Sequence, residues 1–130
     1  MHVFSKTSAA AVSGLRAQAY RLQIVAQNLA NADTHGYRRK TVAFDRAVDR
    51  AANVETVKVS RIGLDPSPRE RTFDPGHPLA DAEGYVEGSN VNIITELADA
   101  KEANQSYQAG LQILSQVRQM YSGLLEILNR

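Results

Sequence analysis

The sequence predicts a mainly α chain with a small β insert, in which long N- and C-terminal helices pack as an antiparallel or coiled-coil pair around a central short-stranded segment. Three observations carry this expectation. All four prolines, Pro66, Pro68, Pro75 and Pro78, are confined to one stretch, and Gly36, Gly63, Gly76, Gly84 and Gly88 punctuate the residues around it. On either side proline is absent and the helix formers Ala, Leu, Gln and Glu dominate. Both flanks repeat apolar residues at alternating spacings of three and four, the period of a helix face. The chain therefore divides into a terminal helical domain, residues 1–32 plus 91–130, and a turn-rich β segment, residues 33–90.

The N-terminal helix is expected over residues 7–32. Val12, Leu15, Ala19, Leu22, Ala26 and Leu29 form a heptad seam. Asn31, Asp33 and Gly36 supply polar and left-handed-tolerant residues that let the helix stop near Asn31. This region has no acid before Asp33, a trait it shares with amphipathic transit peptides. Its spaced leucines instead suit permanent packing.

The C-terminal helix is expected over residues 93–129, with a seam through Leu97, Ala100, Asn104, Tyr107, Leu111, Leu114, Arg118, Tyr121, Leu125 and Leu128. A second stripe, Ile113, Val117, Met120, Leu124 and Ile127, widens the apolar arc to roughly 160°, beyond the stripe of about 100° usual for one buried face. If the N-terminal helix covered only the first seam, the five side chains of the second would forfeit about 1.5 to 3 kcal/mol each. Further partners are expected. The opposite face, Gln112, Ser115, Gln116, Gln119, Ser122 and Gly123, is polar but uncharged, as are Gln18, Gln23, Gln27 and Asn28 in the N-terminal helix. Such faces suit packing against another chain or lining a neutral channel, because interfaces deplete charge at their cores.

In the middle segment Val57 and Val59 alternate with Lys58 and Ser60, Arg71-Thr72-Phe73 precedes a tight Asp74-Pro75-Gly76-His77-Pro78 turn, and Gly84-Tyr85-Val86 follows. Three short strands are expected there. A unit this small is marginal alone and must lean on the helices or on neighbours.

With 130 residues the chain is one unit, and 15 Lys+Arg against 14 Asp+Glu leave a net charge of +1, too little to steer nucleic acid or an acidic substrate. The absence of cysteine removes disulfides, thiolate metal sites and cysteine nucleophiles. No apolar run is long enough to span a bilayer or to act as a secretory leader.

His35 and His77 with Asp33, Asp74 and Asp81 lack metal-ligand spacing and sit in turns. Hydrolysis through His77 and Asp74 finds no nucleophile elbow, phosphate loop or paired carboxylates. The cluster Arg38-Arg39-Lys40, followed by Arg46 and Arg50, suits phosphates of nucleic acid or an anionic membrane. Asp45 and Asp49 interleave with the later arginines, so a solvated turn or an intersubunit salt-bridge patch fits better. No enzyme activity and no cofactor are expected.

The stretch Asn28-Leu29-Ala30-Asn31-Ala32-Asp33-Thr34-His35-Gly36-Tyr37-Arg38-Arg39-Lys40 resembles the N-terminal signature of the bacterial flagellar rod, hook and hook-associated proteins. Asp65-Pro66-Ser67-Pro68, Asp74-Pro75-Gly76-His77-Pro78, Gly84-Tyr85-Val86 and Asn90-Val91-Asn92 resemble, in order, elements of the proximal rod subunits of that family. Gly88-Ser89 stands where those sequences often carry proline, so a sister rod subunit is the alternative. The resemblance implies a structural subunit exported by the flagellar type III apparatus without cleavage of a signal. It would then assemble in the periplasm, with copies of itself and other rod proteins, into a helical tube that transmits torque around the export channel. The expected assembly residues are Val12, Leu15, Leu22, Leu29, Tyr107, Leu111, Leu114, Val117, Tyr121, Leu124, Leu125 and Leu128. Val12, Leu15, Leu22 and Leu29 would meet the first seam of the C-terminal helix, and the second stripe would meet adjacent subunits.

Overall fold

The computed structural model describes residues 2–130. The elements run α1 (His2–Ala30), β1 (Lys40–Asp49), β2 (Val54–Leu64), β3 (Arg71–Phe73), β4 (Tyr85–Glu87) and α2 (Ile93–Leu128). The two long helices pack together, with the strands between them in sequence. Helix α1 begins earlier than its seam suggested and ends where the Asn31–Gly36 turn takes over. There the Thr34 amide donates to the Asn31 carbonyl at 3.0 Å, and Gly36 adopts φ +75°, a conformation that favours glycine. Helix α2 starts at an N-cap, Asn92, whose side-chain oxygen accepts from the Ile94 and Thr95 amides at 3.0 and 3.3 Å.

The helices are antiparallel, in a register visible from one end to the other. The Phe4 and Tyr121 rings meet edge-on at 5.5 Å. A Cβ built on Gly110 would lie 3.0 Å from Leu15 Cδ2, so the α2 backbone itself touches the leucine. Arg21 bonds Asp99, and Asn28 reaches Glu96.

The face that α2 presents differs from the expected one. The covered stripe is Glu96, Ala100, Ala103, Tyr107, Gly110, Leu114 and Val117. It keeps Ala100, Tyr107 and Leu114 but replaces Leu97, Asn104, Leu111 and Arg118 by the residue before each. Leu97 and Leu111 are exposed, and Val117, assigned from sequence to the second stripe, is buried. The small residues explain the choice: Ala103 is 0% exposed, and Gly110 leaves room for the Leu15 side chain directly against the α2 backbone. The alternative stripe would bring Asn104 and Arg118 into the contact. On α1, Val12, Leu15, Leu22 and Leu29 are half-buried while Ala19 and Ala26 of the expected seam are exposed; the buried residues are Ala17, Ile24, Val25 and Asn28. Helix α1 divides its surface between α2 and the β1–β2 hairpin, so no single heptad stripe describes it.

Strands β1 and β2 pair antiparallel from Lys40 opposite Leu64 to Asp49 opposite Val54, with a bulge at Ala43/Phe44. Strand β1 was not expected. Its charges Asp45, Arg46 and Asp49 hide the strand pattern in the sequence; in the hairpin Asp45 stands opposite Lys58, where opposite charges favour pairing. The expected strand at Val57–Ser60 is the middle of β2, which runs over 11 residues. The hairpin is tied to α1 where the Val57 amide donates to Ser13 Oγ at 3.1 Å. Strands β3 and β4 form a second, three-residue pair close to the expected positions. Phe73 and Tyr85 meet edge-on at 5.3 Å, and the Arg71 guanidinium lies 4.7 Å from the centre of the Tyr85 ring.

The fold buries little. Its solvent-accessible surface is 9020 Å², against about 6,800 Å² for a compact monomer of 14.2 kDa. On α2 alone, Ile93, Ile94, Leu97, Ile113, Met120, Ile127 and Leu128 are each about half exposed or more.

Candidate assembly interface and its buried polar anchor

The asparagine motifs at either end of the β segment converge on one buried junction where the end of α1, the start of β1 and the start of α2 meet. Asn28, 1% exposed, is its hub. Its amide nitrogen donates to the Lys40 carbonyl at 2.9 Å and to Glu96 Oε2 at 3.3 Å. Its oxygen accepts from the Tyr37 hydroxyl at 2.8 Å and the Lys40 amide at 2.9 Å. All the bonding capacity of a primary amide is in use. Asn90 extends the junction: its oxygen accepts from the Arg39 amide at 2.5 Å, and its nitrogen donates to the Asp65 and Ser67 carbonyls, both at 3.0 Å. Ser89 Oγ donates to the Ala32 carbonyl, and the Gly36 amide donates to the Glu87 and Gly88 carbonyls, both at 3.2 Å.

Charge is buried here as well. Glu96 is 0% exposed and bonds Arg39 Nε. Burial works against the charge on Arg39, but the hydrogen bond and attraction of Glu96, helped by Asp65 and Asp99, outweigh it and raise the guanidinium pKa. Burial, reinforced by the Glu96 charge, raises the Tyr37 phenol and keeps it a neutral donor to Asn28. A short way along α1, Arg21 bonds Asp99 and lies 3.5 Å from Glu102; the Asp99 hydrogen bond chiefly holds its pKa up.

Sequence reasoning singled out Asn28, Asn31, Gly36, Tyr37, Asn90 and Asn92, all of which lie in or beside this junction. It missed Glu96, whose place in the first turn of α2 reads as an ordinary N-terminal acid. In the cluster Arg38-Arg39-Lys40, Arg38 donates to the Asp65 carbonyl at 3.0 Å, Arg39 pairs with Glu96, and Lys40 Nζ donates to Gln27 Oε1 at 3.1 Å. Arg39 is thus committed to the junction by an ion pair, while Arg38 and Lys40 are held by neutral acceptors.

Asp74, Pro75, Gly76, His77 and Pro78 form a separate turn between β3 and β4. The His77 amide donates to the Asp74 carbonyl at 3.1 Å, and His77 Nδ1 accepts from the Leu79 amide at 3.0 Å. The His35 and His77 rings meet at 4.8 Å. Among the described residues no three His, Asp or Glu side chains converge as metal ligands, and no helix is long and apolar enough to cross a membrane.

Two carboxylates make acid sensitivity testable. The Ser67 hydroxyl and amide, with Arg39, hold Asp65 below the ordinary 3.8. The Tyr85 amide, with Arg71 and the Glu83 amide, does the same for Asp81. Because both folded values lie below the unfolded one, their contribution is present above pH 3.8 and is lost as pH falls through the folded values. Urea unfolding midpoints are expected to drop between pH 5 and pH 2.5, with a shallower drop in Asp65→Asn/Asp81→Asn. Equal slopes would remove these two groups as the cause.

Of the expected assembly residues, Val12, Leu15, Leu22, Leu29, Tyr107, Leu114 and Leu125 are half-buried and Val117 is buried, whereas Leu111, Tyr121, Leu124 and Leu128 are exposed. The exposed flank of α2 runs through Ile113, Met120, Leu124 and Ile127, beside the uncharged Gln112, Gln116 and Gln119.

Comparison with known proteins gives this arrangement a context. A family described as "Flagella basal body rod protein" matches residues 9–38, the C-terminal three-quarters of α1 and the motif turn. A second, "Flagellar basal body rod FlgEFG protein C-terminal", matches residues 82–127, which hold β4 and nearly all of α2. The flagellar basal-body rod protein FlgC of Agrobacterium fabrum is 44% identical over 98% of this chain and 97% of its own length. FlgC of Salmonella typhimurium is 41% identical over 83% of this chain and 85% of its own, and FlgC of Borreliella burgdorferi is 30% identical over 98% and 99%. Similarity that spans both helices, the motif turn and the strands between them places the chain in the FlgC family of flagellar basal-body rod proteins.

Proposed function

We propose that this chain is a structural subunit of the proximal rod of the flagellar basal body, exported by the flagellar type III apparatus and polymerised in the periplasm through its terminal helices. The two-domain division, 1–32 plus 91–130 against 33–90, belongs to the same proposal: the helices build the tube wall around the export channel and the β segment lies outside them. The carrying observation is the row of large apolar side chains left exposed along α2, on a chain whose total surface exceeds that of a compact monomer by about 2,200 Å². A contiguous exposed apolar stripe marks an interaction surface. The buried polar junction anchors the N-terminal end of α2, so the stripe farther along the helix is held in a fixed orientation towards its neighbours. In the rod, copies of this chain and other rod proteins supply the missing cover.

The test places charge on the stripe at two positions that are about half exposed or more. Ile113→Asp/Met120→Asp is expected to leave the chain folded and helical, with a stability loss of about 1 to 2 kcal/mol from helix propensity and the covered half of Ile113. It is also expected to abolish swimming when it replaces the native gene, with the subunit still exported. A motile strain carrying this variant would sink the assignment of the stripe to assembly.

A further inference from the structure

The exposed stripe of α2 has a counterpart elsewhere on the chain. Between α1 and β2 runs an open groove of about 680 Å³, lined on the helix side by Ser8, Val12, Arg16 and Tyr20 and on the strand side by Val57 and Val59. Its helix wall is roughly 18 Å long, from Ser8 to Tyr20, and the stripe from Ile113 to Ile127 is roughly 21 Å long at 1.5 Å per residue. The steps of seven, four and three between Ile113, Met120, Leu124 and Ile127 keep these side chains on one flank, the pattern of a helix that seats in an apolar groove.

Stripe and groove lie on opposite sides of the helix pair. Ile113 borders the flank of α1 that carries Ala10, Gly14 and Gln18. The groove opens on the flank that carries Ser8, Val12 and Arg16. A chain therefore cannot fill its own groove with its own stripe, and two chains joined stripe to groove leave one free stripe and one free groove. That contact is heterologous and propagates. Two patches of the standard size of about 800 Å² per partner fit within the surplus of about 2,200 Å². Polar complementarity points the same way: Arg16, Lys58 and Asp49 line the groove without an ion pair among the described residues, and the side-chain amides of Gln116 and Gln119 beside the stripe can accept from the two cations and donate to the carboxylate.

We propose that the groove between α1 and β2 receives the Ile113–Ile127 stripe of a second copy of this chain. The proposal rests on the reading of the chain as a polymer subunit and names the surface that receives the stripe.

Because the chain has no cysteine, single thiols report the contact directly. Met120→Cys and Val57→Cys, both at exposed positions, are purified separately, mixed at a concentration where sedimentation shows the parent self-associating, and oxidised with glutathione. The expected result is a mixed dimer forming at least about tenfold faster than either homodimer, and a ladder of oligomers from the double variant. Rapid Met120→Cys homodimers would overturn the proposal in favour of a symmetric contact. It would equally be overturned by the absence of a mixed dimer, by failure of the parent to self-associate, or by cross-linking only after another rod protein is added. Swimming of the Ile113→Asp/Met120→Asp strain separates the two levels: non-motile cells with no mixed dimer leave the rod reading standing and remove only this groove.

Discussion

Replacing Arg39 by Met is expected to cost about 3 to 5 kcal/mol of folding stability, the usual range when one partner of a buried ion pair is removed. Glu96 is 0% exposed, and without Arg39 its remaining hydrogen bond is the 3.3 Å contact from Asn28. The Met side chain fills much of the space but cannot solvate a carboxylate. A loss of that size is a large part of the 5 to 15 kcal/mol that holds a typical domain together. The companion variant Arg39→Met/Glu96→Leu removes both charges and is expected to recover most of the loss, because an apolar pair of similar volume avoids the desolvation of two ions. Urea unfolding followed by helical circular dichroism measures both. A loss below about 1 kcal/mol for Arg39→Met would show that Glu96 finds another partner and that the junction is not the anchor described above.

Ala103→Leu tests the closeness of the helix contact. Ala103 is 0% exposed on the covered stripe of α2, between Ala100 and Tyr107. Leucine is the better apolar side chain and a strong helix former, so any destabilisation must come from overpacking, which costs about 1 to 3 kcal/mol in a tight contact. The upper end is expected, since Ala103 is fully covered and, two turns on, Leu15 already packs against the bare backbone of Gly110. Ala98→Leu on the exposed face is the control and should stay within about 0.5 kcal/mol. If Ala103→Leu were as neutral as Ala98→Leu, close approach would not be the reason that this stripe is the buried one.

Much of the architecture was legible. Confinement of the prolines and the three-four repeats place both helices to within a few residues, because periodicity and chain breakers act locally. Strand β1 was not legible, since Asp45, Arg46 and Asp49 interrupt its apolar alternation and are accommodated only by cross-strand neighbours such as Lys58. The motif asparagines were visible as a pattern without a mechanism. Their partners lie far along the chain, Asn28 with Glu96 and Asn90 with Arg39, and no local signal links them.

The sequence by itself determined that two long helices flank a β segment, the ends of α1 and α2 nearest that segment to within a few residues, and the surplus of apolar surface on the C-terminal helix, because these follow from residue type and spacing alone. Tertiary structure decided which of two adjacent stripes turns inward. The two stripes share Ala100, Tyr107 and Leu114 and differ by about half of the roughly 100° step between successive residues, so periodicity alone does not separate them. Gly110 separates them by leaving room for the Leu15 side chain, Ala103 by fitting where it is fully covered, and Glu96 by reaching Arg39. The larger side chains are thereby left on the outside, where another subunit can meet them.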